Sequence, residues 1–291
     1  MTTAARNVER EDRPVRSIST SNVVEIEPAS GFHPLNASEI WRYRELLYFL
    51  AWRDIKVRYK QTALGAAWAI VQPLMTMAVF AIFLGHLAHV PSDGLPYPLF
   101  SLAGLVPWTY FATAVSSGAA SVVGSQHLIS KVYFPRLLVP LAAAATPLVD
   151  FVISLATFVA MLAWYHVTPG AAVVWLPLFT LLALATAFAV SLWLSALMVV
   201  YRDVRYVVPF FMQFWMFATP VAYPTSLVPE RWRVLYGLNP MTGVVEGFRW
   251  ALAGGPPPGP LVIASAAAVG VLFVSGLYFF RRLEGTFADV I

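Results

Sequence analysis

Apolar residues along this chain gather into long runs almost free of charge, separated by short charged segments, where a soluble fold would alternate apolar and polar faces every few residues. A helix needs about 20 mostly apolar residues to cross roughly 30 Å of hydrocarbon. Six runs meet or approach that length: Leu64–Gly85, Leu99–Val123, Leu137–Trp164, Val173–Val200, Tyr206–Tyr223 and Leu261–Phe280. The fifth is the shortest and is bracketed by Pro209 and Pro220. The pattern predicts an all-α polytopic membrane protein of six transmembrane helices. The first 38 residues are polar, carry mixed charge and lack an apolar core, so they read as a flexible cytoplasmic tail and not as a signal peptide. The expected organisation is a tail over 1–38, an amphipathic helix over 39–60 and a six-helix domain over 61–291.

Charge then sets orientation. With the N-terminus inside, 16 of the 19 lysines and arginines fall on the cytoplasmic side, and only Arg231, Arg233 and Arg249 fall outside. That bias predicts cytoplasmic termini at both ends. It also accounts for the net charge of +4 without a nucleic-acid partner. Composition agrees, at 59% apolar and 12% charged residues. There are no cysteines, and His33, His86, His89, His127 and His166 show no metal-ligand spacing, so no metal site is expected.

Three segments and one residue exceed what a plain bundle needs. In Glu39–Lys60, Trp41, Tyr48, Trp52, Ile55 and Tyr59 recur at helical steps beside a basic stripe of Arg53, Lys56 and Lys60, and Asn36 with Glu39 offers a capping box. This is a helix lying in the interface plane, either as an anchor or as the frame of a cytoplasmic entrance. Ser125–Arg136 reads as a compact helix with an apolar face stopped by Pro135, suited to packing on lipid or docking into a partner. In 224–255, Asn239 is a cap, Pro240 a first helical residue and Gly254 with Gly255 a stop, which predicts a non-spanning helix on which Glu246 and Arg249 pair. Asp150 is the one ionisable residue near the middle of a span, and it either orders the bundle or serves function.

Finer features leave alternatives open. Phe210, Phe211, Phe214, Trp215 and Phe217 make the fifth run aromatic, for packing or for stacking on sugar rings. Gln72 and Pro73 mark a kink, and the stripe Ala112, Ser116, Ala120 and Gly124 predicts close helix approach. A phosphate-cradling P-loop is absent, as is a nucleophile elbow; His89 and Asp93 are the nearest approach to an acid–base pair. Nor does an internal repeat suggest a secondary transporter.

The segments RDIKVRYKQTALGAAWAIVQPL (53–74), KVYFPRLLVPL (131–141), YRDVRYVVP (201–209), TPVAYP (219–224) and NPMTGVVEGFR (239–249) closely resemble the type-2 ABC exporter permeases. The nearest branch is the Wzm and TagG group, which exports O-antigen, other envelope glycans or teichoic acid. The resemblance runs from about residue 39 to the end. It implies a homodimer in the bacterial inner membrane, served by a separate ATPase that uses ATP and Mg, with this chain binding no cofactor and catalysing nothing itself. The cargo it implies is a lipid-linked polysaccharide, with teichoic acid, capsule, a drug or a lipid as alternatives. It further implies a conduit lined by Trp68, Gln72, Phe210, Phe214 and Trp215, and a lipid-carrier gate at Arg53, Lys56, Arg58, Tyr59 and Lys60. Coupling to the ATPase would fall to Gln126, His127, Lys131, Tyr133, Phe134 and Arg136, and the outer re-entrant segment to Asn239, Glu246 and Arg249. A polytopic enzyme using His89, Asp93 or Asp150, and an ion-coupled carrier using Asp150, are the competing classes.

Overall fold

In the computed structural model, residues 41–60, 65–254 and 257–287 are described, and they form helices joined by turns and loops, with no strand among them. The tail over 1–38, the capping box at Asn36 and Glu39, and Gly255 lie outside the described residues. Helix α1 (Arg44–Lys60) precedes α2 (Trp68–Phe80), which opens from a 3-10 turn and widens into a π turn over Ala81–Leu87. Helix α3 (Tyr97–Gly124) is followed by a single turn, α4 (Gln126–Ile129). Then come α5 (Leu138–Ala145), α6 (Leu148–Trp164), α7 (Leu176–Val200) and α8 (Val204–Ala218). Two non-spanning helices, α9 (Glu230–Tyr236) and α10 (Pro240–Ala253), lead to α11 (Pro260–Glu284).

Among the described residues, five stretches are long and apolar enough to cross a membrane: Gly65–Leu87, Tyr97–Gly124, Leu138–Trp164, Ala171–Val200 and Pro260–Glu284. The run expected over 206–223 is helical only as far as Ala218, within the 15 residues of α8, about 22 Å of helix. The run over 137–164 is not one helix either. It breaks at Thr146 and Pro147, because a proline ring clashes with the preceding turn and lacks an N–H to continue it. Asp150 thereby lands in the first turn of α6, where the helix dipole favours a carboxylate.

Helix α3 is the hub, packed by α7, α5, α10, α6, α2 and α8. Between membrane helices the drive is close packing, since lipid tails are as apolar as leucine. Gly247 shows how tight that packing is: a Cβ there would stand 2.2 Å from the Phe179 ring. Such contacts bury α10 on every side, with Trp250 alone only half-buried. The small stripe Ala112, Ser116, Ala120 and Gly124 behaves otherwise. Ser116, Ala120 and Gly124 are exposed, and a Cβ at Gly124 would meet nothing within 4 Å, so among the described residues of this chain no helix packs closely on them. The close approach to α7 is made instead by Gly118, on the opposite side of α3.

Helix α1 is apolar on two faces. Leu46, Leu47, Leu50 and Ala51 pack on the bundle beside α5, while Trp41, Tyr48, Phe49 and Trp52 point away from it. Ile55 and Tyr59 turn half-inward, so the aromatic stripe read from the sequence divides between the two faces.

Candidate functional site

Three places gather the residues singled out by the sequence. At the C-terminal end of α1, Arg58 Nη2 lies 2.6 Å from Asp150 Oδ2, and the Tyr59 hydroxyl donates to Asp150 Oδ1. Burial, then the hydrogen bond to Asp150 and its negative charge, push the Tyr59 hydroxyl up to about 12, so it remains a donor at every physiological pH. The cluster sits in a cavity of about 220 Å³ that Trp68, Gln72, Thr109 and Thr113 also line. Ser154 on α6 donates to the Ala69 carbonyl at 2.9 Å, closing that cavity on its α2 side. Trp68 and Gln72 therefore share a polar chamber with Asp150, whereas Phe210, Phe214 and Trp215 do not line it.

Of the other expected gate residues, Arg53 pairs with Asp54 at 2.8 Å, Lys56 lies 5.4 Å above the Trp52 ring, and Lys60 is exposed. Arg53 and Arg58 border a second groove of about 340 Å³ between α1, α3 and α5. Within α8, Phe210 and Phe214 stack obliquely at 5.2 Å and are about two-thirds exposed. Trp215 turns the other way, its ring edge-on to Phe111 at 5.1 Å.

The second place is the end of α8. A helix that stops among apolar neighbours must satisfy its last carbonyls without water. Thr219 Oγ1 donates to Trp215 O, Thr219 N to Met216 O, the Tyr223 hydroxyl to Phe217 O, and Tyr236 together with Asn239 Nδ2 to Ala218 O. Asn239 is the junction. Its Oδ1 accepts from the Trp215 indole at 2.9 Å and from Met241 N at 3.2 Å, which caps α10 as the sequence expects. The segment after α8 is held the same way: Tyr97 donates to Ala222 O at 2.6 Å and Arg249 Nη2 to Val221 O at 2.6 Å. Arg249 pairs with Glu246 at 2.9 Å, as their spacing predicts, and its guanidinium lies 3.7 Å from the Phe100 ring centre. Both are buried, at 4% and 8% exposure. Asp93 accepts from Ser226 at 2.8 Å, a role that its spacing from His89 did not suggest. Tyr97, Tyr223 and Tyr236 were not foreseen either; the prolines at 220 and 224 were the available hint that nearby carbonyls would need donors.

One prediction arises here. Asn239→Ala leaves the half-buried Trp215 indole without its acceptor and the buried Thr219 hydroxyl without its donor, at a cost of about 1–3 kcal/mol. Thermal unfolding of the purified chain should fall measurably, and an unchanged midpoint would count against the junction.

The third place is the α4 turn. Gln126, His127, Lys131 and Tyr133 are exposed and Arg136 is half-buried. Residues 125–136 do not form the expected compact helix, because Ile129 and Phe134 are both drawn into the core beside Leu137 and Leu138. Phe134, at 4% exposure, is accordingly not on the surface where a partner would dock.

Comparison with known proteins follows this geometry. A family model described as ABC-2 type transporter matches residues 45–253. The chain is 31% identical over 251 residues to the O-antigen export system permease protein RfbA of Myxococcus xanthus, covering 84% of this chain and 95% of that protein. It is 28% identical over 248 residues to a protein of the same name from Klebsiella pneumoniae, covering 85% and 95%. Against the polysialic acid transport protein KpsM of Escherichia coli, identity is 23% over 211 residues, or 70% of this chain and 79% of that protein.

Proposed function

The chain belongs to the ABC-2 type transporter family, and from that premise we propose that it is the permease subunit of an ATP-driven exporter of O-antigen-type polysaccharide in a bacterial inner membrane. The observation that carries this reading is the 31% identity to an O-antigen export permease along 95% of that protein's length. The chain is a multi-pass membrane protein, and its sequence has no P-loop, so ATP hydrolysis belongs to a separate subunit. The surface for that subunit is the α4 turn, where Lys131 and Tyr133 stand exposed on a segment anchored through Ile129 and Phe134. A turn rooted in this way passes a push to the bundle.

The cargo is a lipid-linked glycan carried between two copies of this chain, with α8 completing a sixth crossing and both termini in the cytoplasm. Exposed Phe210 and Phe214 supply faces for sugar rings, and Trp68 with Gln72 supplies stacking and hydrogen bonding further along the path. The carrier enters at the C-terminal end of α1, among Arg53, Lys56, Arg58, Tyr59 and Lys60. Asp150 is better read as an ordering carboxylate than as an ion carrier, because it already holds Arg58 and Tyr59. Similarity to a polysialic acid transport protein supports capsule-type polysaccharide as a second cargo class.

The test is co-purification with the candidate ATPase, followed by hydrolysis in lipid with and without lipid-linked glycan. A two-plus-two complex whose hydrolysis responds to the glycan is expected. A chain that purifies alone and leaves hydrolysis unaffected would overturn the reading. Within such a complex, Phe210→Ala with Phe214→Ala should slow export severalfold while assembly persists, since stacking is worth about 0.5–1.5 kcal/mol per ring pair. Export at the unmodified rate would remove these rings from the conduit.

A further inference from the structure

Arg58 borders two separate spaces. On one side lies the polar chamber of about 220 Å³ that holds Asp150. On the other lies the groove of about 340 Å³ under α1, with Arg53 and its carboxylate partner Asp54 along one edge and the hydroxyl-bearing Ser117 and Ser125 opposite. This groove exists because α3 presents Ala120 and Gly124 there in place of larger side chains, and no helix fills the gap. Its two guanidinium groups are already engaged by carboxylates of the same chain. Arg53 holds Asp54 and Arg58 holds Asp150.

We propose that the groove seats the phosphate or diphosphate group of a lipid-linked substrate, and that Asp150 is the internal competitor which that group displaces from Arg58. The proposal rests on the permease reading above and names the part of the substrate that this site recognises. Carboxylate and phosphate oxygens present the same acceptors to a guanidinium fork, so one can replace the other without leaving the arginine unpaired. Asp150 is not abandoned in the exchange, because Tyr59 continues to donate to it and the first turn of α6 continues to stabilise its charge. Arg53 is 44% exposed beside Asp54, so its pair gives way to a second phosphate oxygen at little cost. Moving Arg58 from Asp150 to the groove also breaks its ion pair between α1 and α6, so arrival of the substrate loosens α1.

The experiment titrates the full chain, in phosphatidylcholine nanodiscs, with radiolabelled farnesyl diphosphate. Arg58→Gln should weaken binding about tenfold, and Asp150→Asn should tighten it about tenfold because the competitor is gone. Opposite signs from the two partners of one ion pair are what a purely structural contact cannot produce. Asp150→Glu, which keeps the competing charge, should bind as the unaltered chain does and controls for folding. Binding that Asp150→Asn weakens or leaves unchanged overturns the proposal. Repeating the titration with phosphatidylglycerol in the disc separates the sources of phosphate. If that lipid displaces the probe mole for mole, the groove serves bulk headgroups and the proposal falls; resistance to displacement supports it. An ATPase complex that exports glycan yet binds no farnesyl diphosphate overturns this seat alone, whereas a complex that exports no glycan overturns the permease reading itself.

Discussion

Arg249→Ala should destabilise the chain by about 3–5 kcal/mol, the usual consequence of stranding one member of a buried ion pair. Glu246 would keep its carboxylate at 8% exposure with the neighbouring charge gone, while Val221 O lost a donor at 2.6 Å and the Phe100 ring a cation at 3.7 Å. The expected readout is a lower unfolding midpoint in detergent and loss of a single monodisperse species. A control tells the charge effect from the packing effect. Replacing both partners, Arg249→Leu with Glu246→Leu, leaves no stranded charge and should recover much of the stability, because apolar replacement of a buried pair is often near neutral. Recovery will be partial, since the Val221 carbonyl still lacks its donor. A single variant as stable as the unaltered chain, or a double variant no better than the single, would show that the pair does not hold this layer together.

Gly118→Ala is the second large effect. Helices α3 and α7 share the most extensive contact in the chain, and at Gly118 they are too close for any side chain. A Cβ there would stand 2.2 Å from Ser191 Oγ and 2.5 Å from Ser191 Cβ, distances that only a shift of one helix can relieve. Forcing one methyl into a filled interface costs about 1–3 kcal/mol. The third neighbour, Ser191 Cα, lies at 3.7 Å, which is an ordinary contact. Gly118→Ala combined with Ser191→Gly should therefore pack nearly as well as the natural pair. The serine hydroxyl is buried without a hydrogen-bond partner, so its removal loses little. Thermal unfolding of the two single variants and the double variant decides the matter, and a double variant as unstable as Gly118→Ala would place the strain elsewhere.

Composition and residue order disclosed much of this architecture, for identifiable physical reasons. Uncharged runs locate spans because hydrocarbon penalises charge, and Asn239, Pro240 and Gly254 bracket α10 because helix ends impose local demands that single residues meet. The pairing of Glu246 with Arg249 follows from a spacing of three. What stayed hidden depends on three-dimensional neighbours. The division of 138–164 at Pro147 was overlooked because the run stays apolar enough on both sides of Thr146 and Pro147 to read as one span. Phe134 reads as surface in a charged segment, yet it is pulled inward by Leu137 and Leu138. The small residues of α3 were read as a helix contact, but small size serves equally well to leave a groove, and only the placement of α1 distinguishes the two. The donors that close α8 come from Tyr223, Tyr236 and Asn239; the sequence marks Asn239 only as a helix cap, and what draws the three together are carbonyls that composition does not register.

The segment over 219–223 hangs from Tyr97 on α3, Tyr236 on α9 and Arg249 on α10, and Thr219, by donating to Trp215 O, ties it back to α8 itself. It thus works as a keystone whose bonds have no solvent to replace them if the arch spreads. In the exporter proposed above, a passage wide enough for a sugar chain would consequently be cheaper to open along a seam between two copies, each travelling as an unbroken block, than through the interior of either one.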